Sequence, residues 1–183
     1  MSGTDGMTIF PDSDSDSVID LFVSDLCRTV WMISGGQDTY KGPDGTAPYS
    51  IPVELFYGPP EVFYSKSRPM NQCFCSPNFP EGWCTEMDGV QMVDQCNLGA
   101  PVVISGPHLA SASDYFHETI DGMNPVVPDG FKEEEAEHTS YSAYELTSGA
   151  IIYNAKKIQI NFMVKPDERI EYVVLWHDRA CES

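Results

Sequence analysis

From Ser17 to Ile33 the apolar residues Ile19, Phe22, Val23, Leu26, Val30 and Ile33 recur at intervals of three and four. That rhythm puts them on one face of a helix. Ser17 followed by Asp20 reads as a capping start, and Gly35 with Gly36 as the stop. The pattern therefore predicts a helix over 17–33. Beyond it the rhythm shortens: YSIPVELFY, PVVISG, SAYELT and GAIIYNAKKIQINFMVKP are rich in β-branched and aromatic residues and are punctuated by Pro and Gly. These segments read as strands. In the last, Ile151, Tyr153 and Ala155 alternate in one phase and Ile158, Ile160, Phe162 and Val164 in the other, so the inward face switches near Lys156 and Lys157. One extra residue in a long strand does this, as a β-bulge or sharp bend in a curving sheet. With no internal repeat and no low-complexity linker, the pattern gives no support to a two-domain reading.

Length and composition agree with a folded chain. The 183 residues are 42% hydrophobic and 11% aromatic, enough for one compact core. The N-terminal MSGTDGMTIF has neither the basic nor the apolar region of an export signal, and the apolar cluster Tyr172 to Trp176 is far shorter than the ~20 residues that span a bilayer. Charge narrows the partners further. Ten Lys plus Arg against 28 Asp plus Glu give a net charge of −18, which repels phosphate backbones and anionic lipid surfaces, so no nucleic-acid partner is expected. The acidic stretches at Asp12 to Asp25 and at Glu133 to Glu137 read as solvated surface.

Chemistry is sparse. DSDSDS at Asp12 to Ser17 imitates the start of a calcium loop, but Ser17 stands where the sharp turn needs Gly and Val23 where a bidentate Glu belongs. An acidic helix N-terminus accounts for it instead. His108, His117, His138 and His177 form no zincin or i,i+4 pair. Ser105 lacks a nucleophile elbow, because Val103 occupies the position of its first Gly. Neither a P-loop nor a dinucleotide-binding fingerprint is present, and no cofactor is implied.

The cysteines are the strongest local signal. Cys73, Cys75, Cys84 and Cys96 crowd one window rich in Pro, Gly and Asn, with Cys27 upstream and Cys181 near the end. Their spacing is irregular for tetrahedral zinc, and no C-x-x-C redox pair occurs. Disulfides in an oxidising compartment are the better reading, with zinc left open.

Taken in order, GTDG…FP, SDLCRTV, NQCFC…C…C, PVVISGPH, IDGMNP, EEAEHTSY and LTSGAIIYNAKKIQINFMVKP resemble the ectodomain of the class B scavenger receptors and lysosomal integral membrane protein II. The resemblance runs from about Gly3 to Ile170 and leaves the family pattern in YVVLWHDRACES, so the chain divides into 1–170, the C-terminal part of an ectodomain, and 171–183, a divergent tail. The resemblance implies a mainly β fold with short helices, part of an antiparallel β-barrel-like ectodomain that is incomplete here. It implies a non-enzymatic, membrane-anchored receptor that binds lipids or lipoproteins and conducts fatty acids or sterols through an apolar tunnel. Its anchoring transmembrane helices lie outside this chain, at the plasma membrane or in the lysosome, with this segment extracellular or lumenal.

The family's cysteine pattern implies that Cys27 joins Cys96 and that Cys75 joins Cys84. It leaves Cys73 unpaired, its partner lying upstream of GTDG, and Cys181 without a counterpart. No metal site and no catalytic residue are implied, and the ligand-binding residues are not indicated. Half a barrel would expose apolar surface and self-associate. Two competing readings are a soluble inactive fragment and a secreted hydrolase of unrecognised type. The absence of N-x-[ST] departs from a usually glycosylated family.

Overall fold

A computed structural model describes residues 6–9, 18–42, 45–80, 82–120 and 138–164. The strands are β1 (Val18–Val23), β2 (Arg28–Tyr40), β3 (Ile51–Tyr57), β4 (Val90–Met92), β5 (Val102–Ser105), β6 (Tyr141–Glu145), β7 (Ile151–Ala155) and β8 (Gln159–Phe162). Two short α-helices, α1 (Trp83–Glu86) and α2 (Asp114–Thr119), and several single 3-10 turns lie between them. The fold is thus mainly β, in two antiparallel sheets. Backbone packing groups the chain into two compact units, Met1–Pro59 with Thr139–Lys156 and Pro60–His138 with Lys157–Ser183.

The first unit holds a five-stranded sheet in the order β1-β2-β3-β6-β7. Its opening hairpin corrects the predicted helix. β1 pairs β2 from Val18 opposite Ile33 to Val23 opposite Arg28, and a single 3-10 turn at Ser24–Leu26 connects them. Cys27 sits at the end of that turn, not on a helix, with φ 52° and its N–H donating to the Ser24 carbonyl at 3.1 Å. The helical rhythm was the sum of two period-two strands broken by a tight turn. Val18, Ile19, Val23, Thr29, Val30 and Ile33 are β-branched, and such side chains lose less freedom on a pleated surface than on a helix. Gly35 and Gly36, read as a helix stop, mark a register shift in β2, with Gly36 at φ +92°.

One face of this sheet is the core. Ile9, Met32, Phe56 and Tyr144 are buried together, and Ile19, Leu21 and Ile151 pack against them. Phe56 and Tyr144 meet edge to face at 5.8 Å between ring centres. The buried Tyr144 hydroxyl donates to the Gly6 carbonyl at 3.1 Å, and the Ile9 N–H donates to the Gly149 carbonyl, which ties the 6–9 segment over the core. Each fully buried aromatic or aliphatic side chain contributes about 1.5–3 kcal/mol.

In the second unit β4, β5 and β8 form a three-stranded sheet. Val90, Met92, Val103, Leu109 and Phe116 make its core, with Phe79, Trp83 and Met163 packed against it. Trp83 on α1 crosses Phe116 on α2 edge to face at 5.4 Å. The phase switch at Lys156 and Lys157 has a different origin from the single bent strand expected. β7 ends at Ala155 in one sheet and β8 begins at Gln159 in the other, so the alternation restarts because the chain changes sheets.

Candidate ligand-contacting face

Directly opposed residues of antiparallel strands share a face, so the pairing register assigns every side chain of the five-stranded sheet to one side. The face away from the core carries Trp31 and Ile33 on β2, Leu55 and Tyr57 on β3, Tyr141 and Ala143 on β6, and Tyr153 and Ala155 on β7. Beyond the bulge in β2, Gly36 pairs with Leu55 and Tyr40 with Ile51, so Tyr40 joins the same face.

Four tyrosines of this face touch in a row. Tyr57 lies 6.0 Å from Tyr141, Tyr141 lies 5.6 Å from Tyr153, and Tyr153 stacks on Tyr40 at 6.0 Å, all between ring centres. The last contact fixes the shape of the sheet. Tyr40 is on β2 and Tyr153 on β7, with β3 and β6 between them, so in a flat sheet their strands lie roughly 14 Å apart, and Tyr40 stands further along β2 than Gly36, the residue in register with Tyr153. Their rings meet because the sheet curls into a half-barrel with this face inside. Burial, reinforced by the Tyr153 hydroxyl and by the neighbouring Tyr57 and Tyr40, pushes the Tyr141 phenol up to about 12, so all its interactions at ordinary pH are those of a neutral hydroxyl. All four rings are half-buried.

The sequence reading named no ligand-binding residue, and this row is what it missed. The signal was present as tyrosines in phase with the strand alternation at 141 and 153, but Tyr40 and Tyr57 join them only through pairing and curl. The cysteines are where a disulfide-bearing fold needs them. Cys75 and Cys84 form a disulfide with 6.1 Å between Cα atoms. Cys27 and Cys96 are each disulfide-bonded, whereas Cys73 is a free, exposed thiol. Cys181, His177 and the Asp12 to Ser17 stretch lie outside the described residues. Of the other histidines, His108 and His138 bring ring nitrogens within 3.0 Å of each other. The His108 N–H donates to Gln159 Oε1 on β8 at 2.6 Å.

The family model described as the CD36 family matches residues 1–175, most of the chain. The chain belongs to the CD36 family. Among CD36-family relatives, Lysosome membrane protein 2 of Mus musculus is 33% identical over 172 residues, covering 93% of this chain and 31% of that protein. The Homo sapiens Lysosome membrane protein 2 is 31% identical over 165 residues, 90% of this chain and 30% of that protein. Scavenger receptor class B member 1 of Cricetulus griseus is 26% identical over 190 residues, 98% of this chain and 33% of that protein. The chain therefore spans about a third of the length of the relatives it matches, a partial CD36-type ectodomain. No helix among the described residues is long and apolar enough to cross a membrane.

Proposed function

We propose that this segment is the part of a CD36-family receptor ectodomain that holds an apolar lipid against the concave face of its five-stranded sheet, without covalent chemistry. The observation that carries the reading is the row Tyr57, Tyr141, Tyr153 and Tyr40 on the inner face of a curled sheet, flanked by Trp31, Ile33 and Leu55. A concave aromatic wall with a few hydroxyls is the chemistry of a lipid-contacting surface. For the longer protein of which this chain resembles a third, the reading extends to fatty acids, sterols or lipoproteins as ligands. It also extends to anchoring in the plasma membrane or the lysosomal membrane with this segment extracellular or lumenal. Cys27 and Cys96 are read as partners in one disulfide, following the family pattern.

Self-association belongs to the same proposal. Ile160, Phe162 and Val164 alternate along β8 and its continuation, and are 47%, 54% and 52% exposed on an edge strand. An exposed apolar edge is a site of strand pairing between copies. The test of the lipid reading is equilibrium dialysis of the delipidated chain against a labelled mixture of neutral and acidic lipids. Saturable uptake of about one lipid per chain is expected. Unsaturable partitioning alone would sink the reading.

A further inference from the structure

The segment that follows β5 in the second unit is strained. His108, Leu109 and Ser111 all have positive φ, at 53°, 55° and 62°. None is Gly, and such residues adopt this conformation at a cost that their surroundings must offset. Four contacts hold the segment. Leu109 is buried in the core of this unit, and the side chains of Ser111 and Tyr64 share a hydrogen bond. The His108 N–H donates to Gln159 Oε1 at the start of β8, 2.6 Å away. The His108 ring meets the His138 ring, Nδ1 to Nε2, at 3.0 Å. From Gln159 the polar line runs on beneath the strand: its Nε2 donates to Asn161 Oδ1, and Asn161 Nδ2 donates to Ser105 Oγ. Of the four contacts, only the histidine pair changes charge between neutral and mildly acidic pH.

The two ring centres are 5.2 Å apart. They exceed the nitrogen separation by nearly two ring radii, so the nitrogens face each other head-on, as a shared N–H···N bond requires, rather than converging on a third point as two ligands of one metal would. We infer that this pair is an acid-sensitive catch, which holds the strained 107–111 segment against β8 while at least one ring is neutral and releases it when both are protonated. With both rings neutral, one donates its N–H to the lone pair of the other. With one proton added, an imidazolium donates to an imidazole and the bond tightens. A second proton leaves two N–H groups, no acceptor between them, and like charges in contact. Neither Pro107–Leu109 nor Gln159–Phe162 contains an acidic residue to offset that second charge, and Lys157, just before β8, has the same sign. His138 keeps a further partner besides His108, and Glu137 adjoins it in sequence. Protons reach the pair directly, since His108 is exposed and His138 half-buried. The catch acts on this segment whether or not the five-stranded sheet holds a lipid.

Amide hydrogen exchange of the full, oxidised chain, read by peptide mass spectrometry and corrected for the intrinsic pH dependence of exchange, tests this at about pH 7.5 and about pH 5. Exchange across 107–112 should be about two- to tenfold faster at the acid pH, the loss of one hydrogen bond, while the β4 amides stay unchanged. His138→Gln, which removes one of the two charges, should abolish the difference. His108→Asn should do the same, and Asn tolerates the left-handed backbone at that position. Equal protection of 107–112 at both pH values in the parent overturns the inference, as does an acid response that survives in both variants. Proton NMR titration of the unmodified chain gives a readout that needs no variant. The ring protons of His108 and His138 should shift together in two coupled steps, and two independent single-proton curves would overturn the pairing.

Discussion

Gly35 lies directly beneath the ring of Tyr57, so close that a β-carbon at position 35 would fall inside the ring. Gly35 lies at the register shift between Ser34 and Gly36, and the Tyr57 ring over it is tilted against Tyr141. Gly35→Ala must displace the ring or the strand, and overpacking of this kind costs about 1–3 kcal/mol. Urea unfolding should show that loss. In the double variant with Tyr57→Ala most of the steric component should disappear, since the two residues are coupled. Additive losses in the double-mutant cycle would show that the ring does not rest on Gly35.

A harsher constraint holds the second unit. Gly89 has φ +93°, and a β-carbon there would collide with the backbone and side chain of Ala112. Neither obstacle is a movable side-chain end, and the backbone conformation itself disfavours any other residue. Gly89→Ala should lower stability by more than Gly35→Ala. A thermal melt within about 2 °C of the parent would contradict the packing of the 110–113 segment on this turn.

Two groups set opposite limits in pH. Tyr141, raised mainly by burial to about 12, is neutral in the folded chain while an unfolded tyrosine ionises near its ordinary 10.0. Its contribution is present below pH 10 and is lost as pH rises through about 12. Glu145 is held down to about 2, first by the Ser148 hydroxyl and then by the N–H groups of Thr147 and Ser148. Its contribution is present above its ordinary value of 4.5 and is lost as pH falls toward 2. Ultraviolet titration of the tyrosines should resolve late-ionising phenol, part of which vanishes in Tyr141→Phe while Tyr64, also raised mainly by burial, remains. Glu145→Gln should remove the corresponding acid-side loss of stability, and an unchanged acid limb would show that the turn at 145–149 does not depend on the carboxylate.

The cysteines separate by chemistry. Non-reducing peptide mapping after expression in an oxidising compartment should recover Cys75 linked to Cys84, Cys27 linked to Cys96, and Cys73 open to alkylation. In the chain-entropy model the longer loop from Cys27 to Cys96 is worth roughly 4 kcal/mol and the shorter one roughly 2.5 to 3. Cys27→Ser should therefore destabilise more than Cys75→Ser. Stoichiometric zinc on reduced thiols, or Cys73 bridged to Cys75, would refute the pairing.

By itself the sequence determined the β class, three of the strand segments and the oxidised character of the cysteine cluster. Alternation and β-branching are local properties, and YSIPVELFY, PVVISG and SAYELT became β3, β5 and β6 with little shift. The family resemblance was equally legible, because ordered motifs survive in the chain whatever its conformation. The hairpin at 18–40 was not. Two period-two strands joined by one turn can reproduce a period of three and four over a short window. Only pairing, from Val18 opposite Ile33 through Val23 opposite Arg28, decided between them. The same holds for the candidate site. Tyr40, Tyr57, Tyr141 and Tyr153 lie far apart along the chain and on four strands, and nothing local brings them together. Register put them on one face, the bulge at Ser34 and Gly36 kept Tyr40 in phase, and the curl of the sheet closed the distance from Tyr40 to Tyr153. Those are non-local hydrogen-bond and packing choices, which the tertiary structure alone makes.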